Sequence, residues 1–178
     1  MDDDVAATLR ADPTMTALID RHGPLAIEPA DDEFERLCTS IVNQQLSTAS
    51  AAAIYERFHD ALGGEVAPDS VLAADEQRLR DAGLSEMKVE YLRAAAAAFR
   101  DGETALTREG LAGMSDEAVV ARLTEIRGVG DWTARMYLIF ALGREGGELT
   151  RAEMRDIGEV WRPYRSYGAR YVWAEYES

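Results

Sequence analysis

Apolar residues recur at helical spacing along almost the whole chain. Leu37, Cys38, Ile41 and Val42 fall on one stripe behind Asp31 or Asp32, either of which can cap a helix running on to Gln45. Ser47 or Thr48 can cap the next helix, through Ala52, Ile54, Tyr55 and Phe58, which Gly63-Gly64 closes. Shorter helices are predicted over Asp2–Arg10, Thr14–His22, Pro68–Ala73 and Asp75–Ala82. Ser85–Phe99 is strongly helical, and its alanine run from Ala94 to Ala98 offers a smooth face for close helix packing. Asp116–Ile126 follows Ser115, then Trp132–Leu142, Glu148–Trp161 and Tyr167–Tyr176. Few segments alternate with period two, so the pattern predicts an all-α fold.

Between two of these helices lies Ile126-Arg127-Gly128-Val129-Gly130-Asp131-Trp132-Thr133-Ala134. Gly128 and Gly130 can both take positive φ and carry no side chain to obstruct a close approach. Amides of such a bend and of the helix start behind it point the same way, and the helix dipole adds positive potential. The segment is therefore a candidate phosphate site, although a plain turn between helices would look the same.

Composition changes the picture in two ways. The 178 residues carry 33 acids and 19 bases, a net charge of −14. Residues 1–33 hold nine acids and two arginines, whereas residues 151–178 hold five of each. Any nucleic-acid contact must then rest on backbone amides, stacking and shape more than on bulk positive charge. Acid enrichment with a single lysine, Lys88, points to a salt-adapted cytoplasm. The one cysteine, Cys38, excludes an internal disulfide, a four-cysteine zinc site and an iron–sulfur cluster. The acidic N-terminus does not look like a signal peptide, and no apolar run reaches membrane-spanning length. The expectation is a cytoplasmic protein of one domain, with no membrane partner.

Three motifs in order, Ile41-Val42-Asn43-Gln44-Gln45-Leu46-Ser47, the glycine bend, and Trp161-Arg162-Pro163-Tyr164-Arg165-Ser166-Tyr167, resemble 3-methyladenine DNA glycosylase II. That is the alkylated-base branch of the helix-hairpin-helix DNA glycosylases. The resemblance runs from about Pro13 to Tyr176. It implies two helical lobes flanking a cleft: residues 1–45 with 144–178, and residues 46–143 containing the hairpin at 116–142. It implies a monomeric enzyme acting on double-stranded DNA with damaged bases, by nucleotide flipping and hydrolysis of the N-glycosidic bond in base-excision repair. Flipping is required because the reacting bond is inaccessible in stacked DNA.

By that resemblance Gln44, Gln45 and Leu46 form the wedge that fills the gap left by the flipped base. Gly128, Val129, Gly130 and Thr133 bind the DNA strand. The carbonyls of Thr124, Ile126 and Val129 hold a structural metal ion, the single cofactor the resemblance allows. Trp132 stands where lyase-type relatives place a catalytic lysine, and an indole forms no Schiff base, so backbone cleavage is not expected. Trp132 and Trp173 line the base pocket, with Met136 near a position where some relatives carry a further aromatic. As residues alone, both tryptophans also suit ordinary packing. Arg162 and Arg165 either contact phosphate or brace the cleft in an ion-pair and stacking cluster.

One departure stands out. The family carries its catalytic aspartate on a Pro-x-x-Asp-like segment after the hairpin pair. Here Phe140-Ala141-Leu142-Gly143-Arg144-Glu145 runs directly into Gly146-Gly147-Glu148, and no proline lies between Pro68 and Pro163. Glu148 is a weak substitute by position, ahead of Glu145 and Glu153. Two alternatives therefore stay open: a catalytically impaired relative that binds damaged DNA without releasing a base, and a helical protein-interaction module.

Overall fold

The computed structural model describes residues 1–101, 106–144 and 159–177. In chain order the helices are α1 (Asp3–Leu9), α2 (Pro13–His22), α3 (Glu33–Asn43), α4 (Thr48–Ala61), α5 (Pro68–Ala73), α6 (Glu76–Asp81), α7 (Glu86–Asp101), α8 (Arg108–Leu111), α9 (Asp116–Thr124) and α10 (Asp131–Phe140). A 3-10 turn over Glu159–Trp161 and α11 (Arg165–Glu177) follow. Among the described residues there is no strand.

Local chemistry sets most of these boundaries. Asp2, Asp12, Asp32, Ser47, Asp75 and Ser115 each cap a helix, accepting a hydrogen bond from a first-turn amide. Pro13 opens α2 and Pro68 opens α5, where their missing N–H costs nothing. Helix α3 stops at Asn43, two residues short of the predicted end. Gln44 turns extended at ψ 125° and Gln45 adopts φ 60°. The Ile41 and Asn43 carbonyls accept from the Gln44 and Leu46 amides and the Val42 carbonyl from Lys88, which satisfies the end of the helix.

The buried side chains form two clusters. The larger draws Phe34, Leu37, Cys38, Ile41 and Val42 from α3, Phe58 from α4, Leu79 from α6, Leu92 from α7 and Leu123 from α9. The smaller joins Val5, Leu9, Met15 and Ile19 to Trp161, Tyr167 and Tyr171, tying the two ends of the chain together. The apolar face of α3 packs on α7 and α10 within the larger cluster, because that stripe faces helices it meets only in three dimensions.

Helix α10 serves both clusters. Ala134, Tyr137 and Leu138 face the larger, Met136 and Ile139 the smaller. Residues three and four apart share a helix face, so two stripes on one helix weld two cores. Tyr137 is 2% exposed, donates its hydroxyl to the Leu106 carbonyl and sets its ring edge-on to Phe99 at 6.4 Å. Past α10, Arg144 donates to the Met114 and Leu111 carbonyls and pairs with Asp116 at 2.7 Å. The chain thus leaves α10 clasped against α8 and α9.

Candidate nucleic-acid interface

The bend between α9 and α10 is exposed where it matters. Arg127 and Gly130 are exposed, while Ile126 and Val129 point inward at 7% and 4% exposure. The two glycines serve different ends. Gly128 sits at φ +92°, and a Cβ there would lie 2.1 Å from the Tyr91 ring. Gly130 has an ordinary extended conformation, φ −87° and ψ 172°, and a Cβ there would meet nothing within 4 Å. Of the two glycines that can take positive φ, only Gly128 uses it. Gly130 is the N-cap of α10 and gives it no side-chain cap, so no side chain of the cap residue covers the positive end of that helix. Asp131, in that same turn, is paired with Arg135 at 3.2 Å, which offsets its negative charge.

The bend borders a cavity of about 550 Å³ lined by Gln44, Gln45, Lys88, Tyr91, Thr124 and the hairpin residues 126–130. Gln44 spans it, donating from Nε2 to the Gly128 carbonyl at 3.1 Å. Thr124, Ile126 and Val129 all border this cavity, and the Ile126 carbonyl accepts from the Val129 amide at 3.0 Å.

A second cavity of about 330 Å³ opens beside it, between α3, α10 and α11. Its walls include Trp132, Met136 and Trp173, joined by Thr133, Gln44 and Gln45. Residues 41 positions apart in sequence, Trp132 and Trp173, thus face one space. Gln44 and Gln45 border both cavities, so the loop after α3 divides the hairpin from the aromatic chamber. Leu46 closes that loop, its amide donating to the Asn43 carbonyl at 3.2 Å.

Sequence reasoning missed four wall residues: Arg36, Ser40, Asn43 and Phe140. The Arg36 guanidinium lies 4.9 Å from the Phe140 ring centroid, and Phe140 meets Trp173 edge-on at 6.3 Å. Arg36, Ser40 and Asn43 recur at helical spacing on the polar side of α3, a signal that was legible but reads as a plain solvated face.

Two expected DNA contacts lie elsewhere. Arg165 is 6% exposed and paired with Glu159 at 3.2 Å. Arg162 is exposed and paired with the same carboxylate at 2.9 Å. Trp161 is 3% exposed, stacks where a Cβ on Gly168 would clash, and donates Nε1 to Asp12 at 2.9 Å. The bracing alternative is the one the geometry favours for this cluster. Glu148, Glu145 and Glu153 lie outside the described residues.

The chain matches the model of the HhH-GPD superfamily base excision DNA repair proteins over residues 38–163. The chain belongs to that superfamily. It is similar to DNA-3-methyladenine glycosylase 1 of Schizosaccharomyces pombe, 27% identical over 89% of this chain and 79% of that protein. YfjP of Bacillus subtilis is 26% identical over 92% of this chain, which spans 66% of the length of that relative. Among solved structures, the S. pombe 3-methyladenine DNA glycosylase in complex with abasic DNA superposes with a TM-score of 0.80 at 26% identity, covering 96% of this chain and 95% of that one. A DNA-3-methyladenine glycosidase from Bacillus halodurans gives 0.75 at 27% identity, covering 99% and 90%. The all-helical arrangement described above is thus the helix-hairpin-helix fold, with α9, the glycine bend and α10 as its hairpin. Among the described residues, no helix is long and apolar enough to cross a membrane.

Proposed function

We propose that this chain is a monofunctional DNA N-glycosylase that removes alkylated bases of the 3-methyladenine type in base-excision repair. One observation carries the reading: Trp132, Trp173 and Met136 share a chamber that Gln44 and Gln45 separate from the hairpin. At about 330 Å³ the chamber lies at the low end of the roughly 300–1,000 Å³ typical of ligand pockets. In this reading the hairpin amides grip a phosphate, Gln44, Gln45 and Leu46 fill the vacated stack, and the extruded base enters between the indoles. Gly128, Val129, Gly130 and Thr133 supply the grip. Many alkylated purines are cationic, and an indole face attracts a desolvated cation by about 0.5–2 kcal/mol. Bond cleavage builds positive charge on the sugar, which a carboxylate and an aligned water would stabilise.

An ion at the hairpin fits the donors present. Thr124, Ile126 and Val129 border one cavity and offer neutral carbonyl oxygens suited to a hard cation, which would add positive charge beside the phosphate site. Trp132, in place of an amine nucleophile, supports hydrolysis without strand cleavage. We further read the protein as a monomer, from a salt-adapted cytoplasm, on its net charge of −14 with one lysine.

The test is to incubate the chain at high salt with duplex DNA bearing a methylated purine and to measure free base against time. Release well above the spontaneous rate supports the reading. Lesion binding with no release would favour the second reading, a damage-binding relative, which the sequence after Glu145 motivates. Neither binding nor release would leave only a protein-interaction module.

A further inference from the structure

Lys88 is the single lysine of a chain whose other eighteen basic residues are arginine. It sits in the first turn of α7, two residues after its N-terminal Glu86, where a cation opposes the helix dipole. It is half-buried, and burial lowers its pKa from the ordinary lysine value. Two local rules are broken at one position, so the ammonium serves something outside its own helix.

Its partner is the Val42 carbonyl, which accepts from Nζ at 2.7 Å. Val42 belongs to the last turn of α3, whose carbonyls have no partner within the helix. The Ile41 carbonyl accepts from the Gln44 amide at 3.3 Å and the Asn43 carbonyl from the Leu46 amide at 3.2 Å. Only the middle carbonyl of the three is held from another helix. Three residues beyond it the chain turns through Gln45 at φ 60°, a left-handed conformation that a non-glycine residue keeps only where its surroundings enforce it. Gln44 is then fastened to the Gly128 carbonyl.

We infer that Lys88 is a positioning residue for damage recognition: by clamping the end of α3 it fixes the loop of Gln44, Gln45 and Leu46 at a set distance from the hairpin. The inference rests on the glycosylase reading of that loop as the wedge. A compact ammonium can approach one carbonyl end-on, whereas the planar guanidinium fork is shaped for paired acceptors.

The experiment compares affinity for a duplex carrying a tetrahydrofuran abasic-site analogue with affinity for the undamaged duplex, across a salt series. Lys88→Met should lower the ratio of the two affinities by roughly tenfold, the scale of one charge-assisted hydrogen bond. The salt slope should be unchanged, because the ammonium is spent on a carbonyl and not on a phosphate. Arg78→Met is the matched control, since Arg78 donates to the Asp60 carbonyl at 3.2 Å on another helix pair; its ratio should equal that of the unmodified chain. Should the methionine variant lose its cooperative melt, Lys88→Arg carries the same measurement. It keeps the charge, and its ratio should also fall.

A ratio equal to the unmodified chain in either lysine variant overturns the inference. So does a uniform loss on both duplexes with a salt slope smaller by about one, which marks a direct phosphate contact. Failure of the unmodified chain to prefer the abasic duplex would instead sink the glycosylase reading itself.

Discussion

The Gln44 side-chain amide donates to the Gly128 carbonyl across 84 residues of sequence, at 3.1 Å. This bond links the loop after α3 to the glycine bend and fixes the gap between them. Gln44→Ala should widen the range of gaps sampled without unfolding either element. A net hydrogen bond contributes about 0.5–1.5 kcal/mol, so the expected loss of affinity for abasic duplex is roughly two- to tenfold. Fluorescence anisotropy would read it, and unchanged affinity would mean that the bond has no part in DNA binding.

The two hairpin glycines should separate folding from binding. Gly128→Ala combines positive φ with a clash against Tyr91, and should cost roughly 2–4 kcal/mol of stability. Gly130→Ala meets open space at an ordinary φ, so the melting temperature should barely move. Its methyl group would stand on the side from which a phosphate approaches, and DNA affinity should fall. Equal melting temperatures for the two variants would contradict the assignment.

Trp132→Leu should preserve much of the apolar wall and remove the indole face. If the indole selects cationic bases, release of a cationic methylated purine should slow by about 2- to 30-fold relative to a neutral one, matching 0.5–2 kcal/mol. Parallel loss on both substrates would show that Trp132 only shapes the chamber.

Asp12 caps α2 and accepts from Trp161 Nε1. Burial pushes its carboxyl up, but hydrogen bonds from Trp161 and from the Thr14 and Met15 amides outweigh that and hold it below its ordinary 3.8. A depressed carboxyl stabilises the fold fully above its unfolded pKa, and that contribution is lost as pH falls through the lower folded value. Asp12→Asn should therefore flatten the acid limb of the melting curve below about pH 4. An acid limb identical to the unmodified chain would remove Asp12 from the account.

Much of the site was legible because motif chemistry is local. Trp132 and Thr133 open the helix behind the bend, and Gln44 and Gln45 follow an apolar stripe that ends in polar residues. Arg36 and Phe140 were not legible as a pair, since nothing in either segment announces that one helix lies over the other. Arg165 stays open in the sequence for a related reason: an arginine among aromatics reads equally as a surface contact or as a buried brace. The fold brings Glu159 within 3.2 Å of its guanidinium, a pairing no local pattern announces.

The sequence alone determined most of the helices among the described residues, several of their caps, the glycine bend and the residue types available to touch a strand of DNA; it did not announce α8, and its expected helix over Glu148–Trp161 lies mostly outside the described residues. The features it determined follow from forces acting within a few residues, where capping, helical period and missing side chains leave little choice. Tertiary packing decided that α3 sides with the larger core, that Gly128 and Gly130 differ, and that the lone lysine reaches the end of a distant helix. Such pairings depend on which apolar faces meet after the chain folds back, and no local pattern encodes the partner.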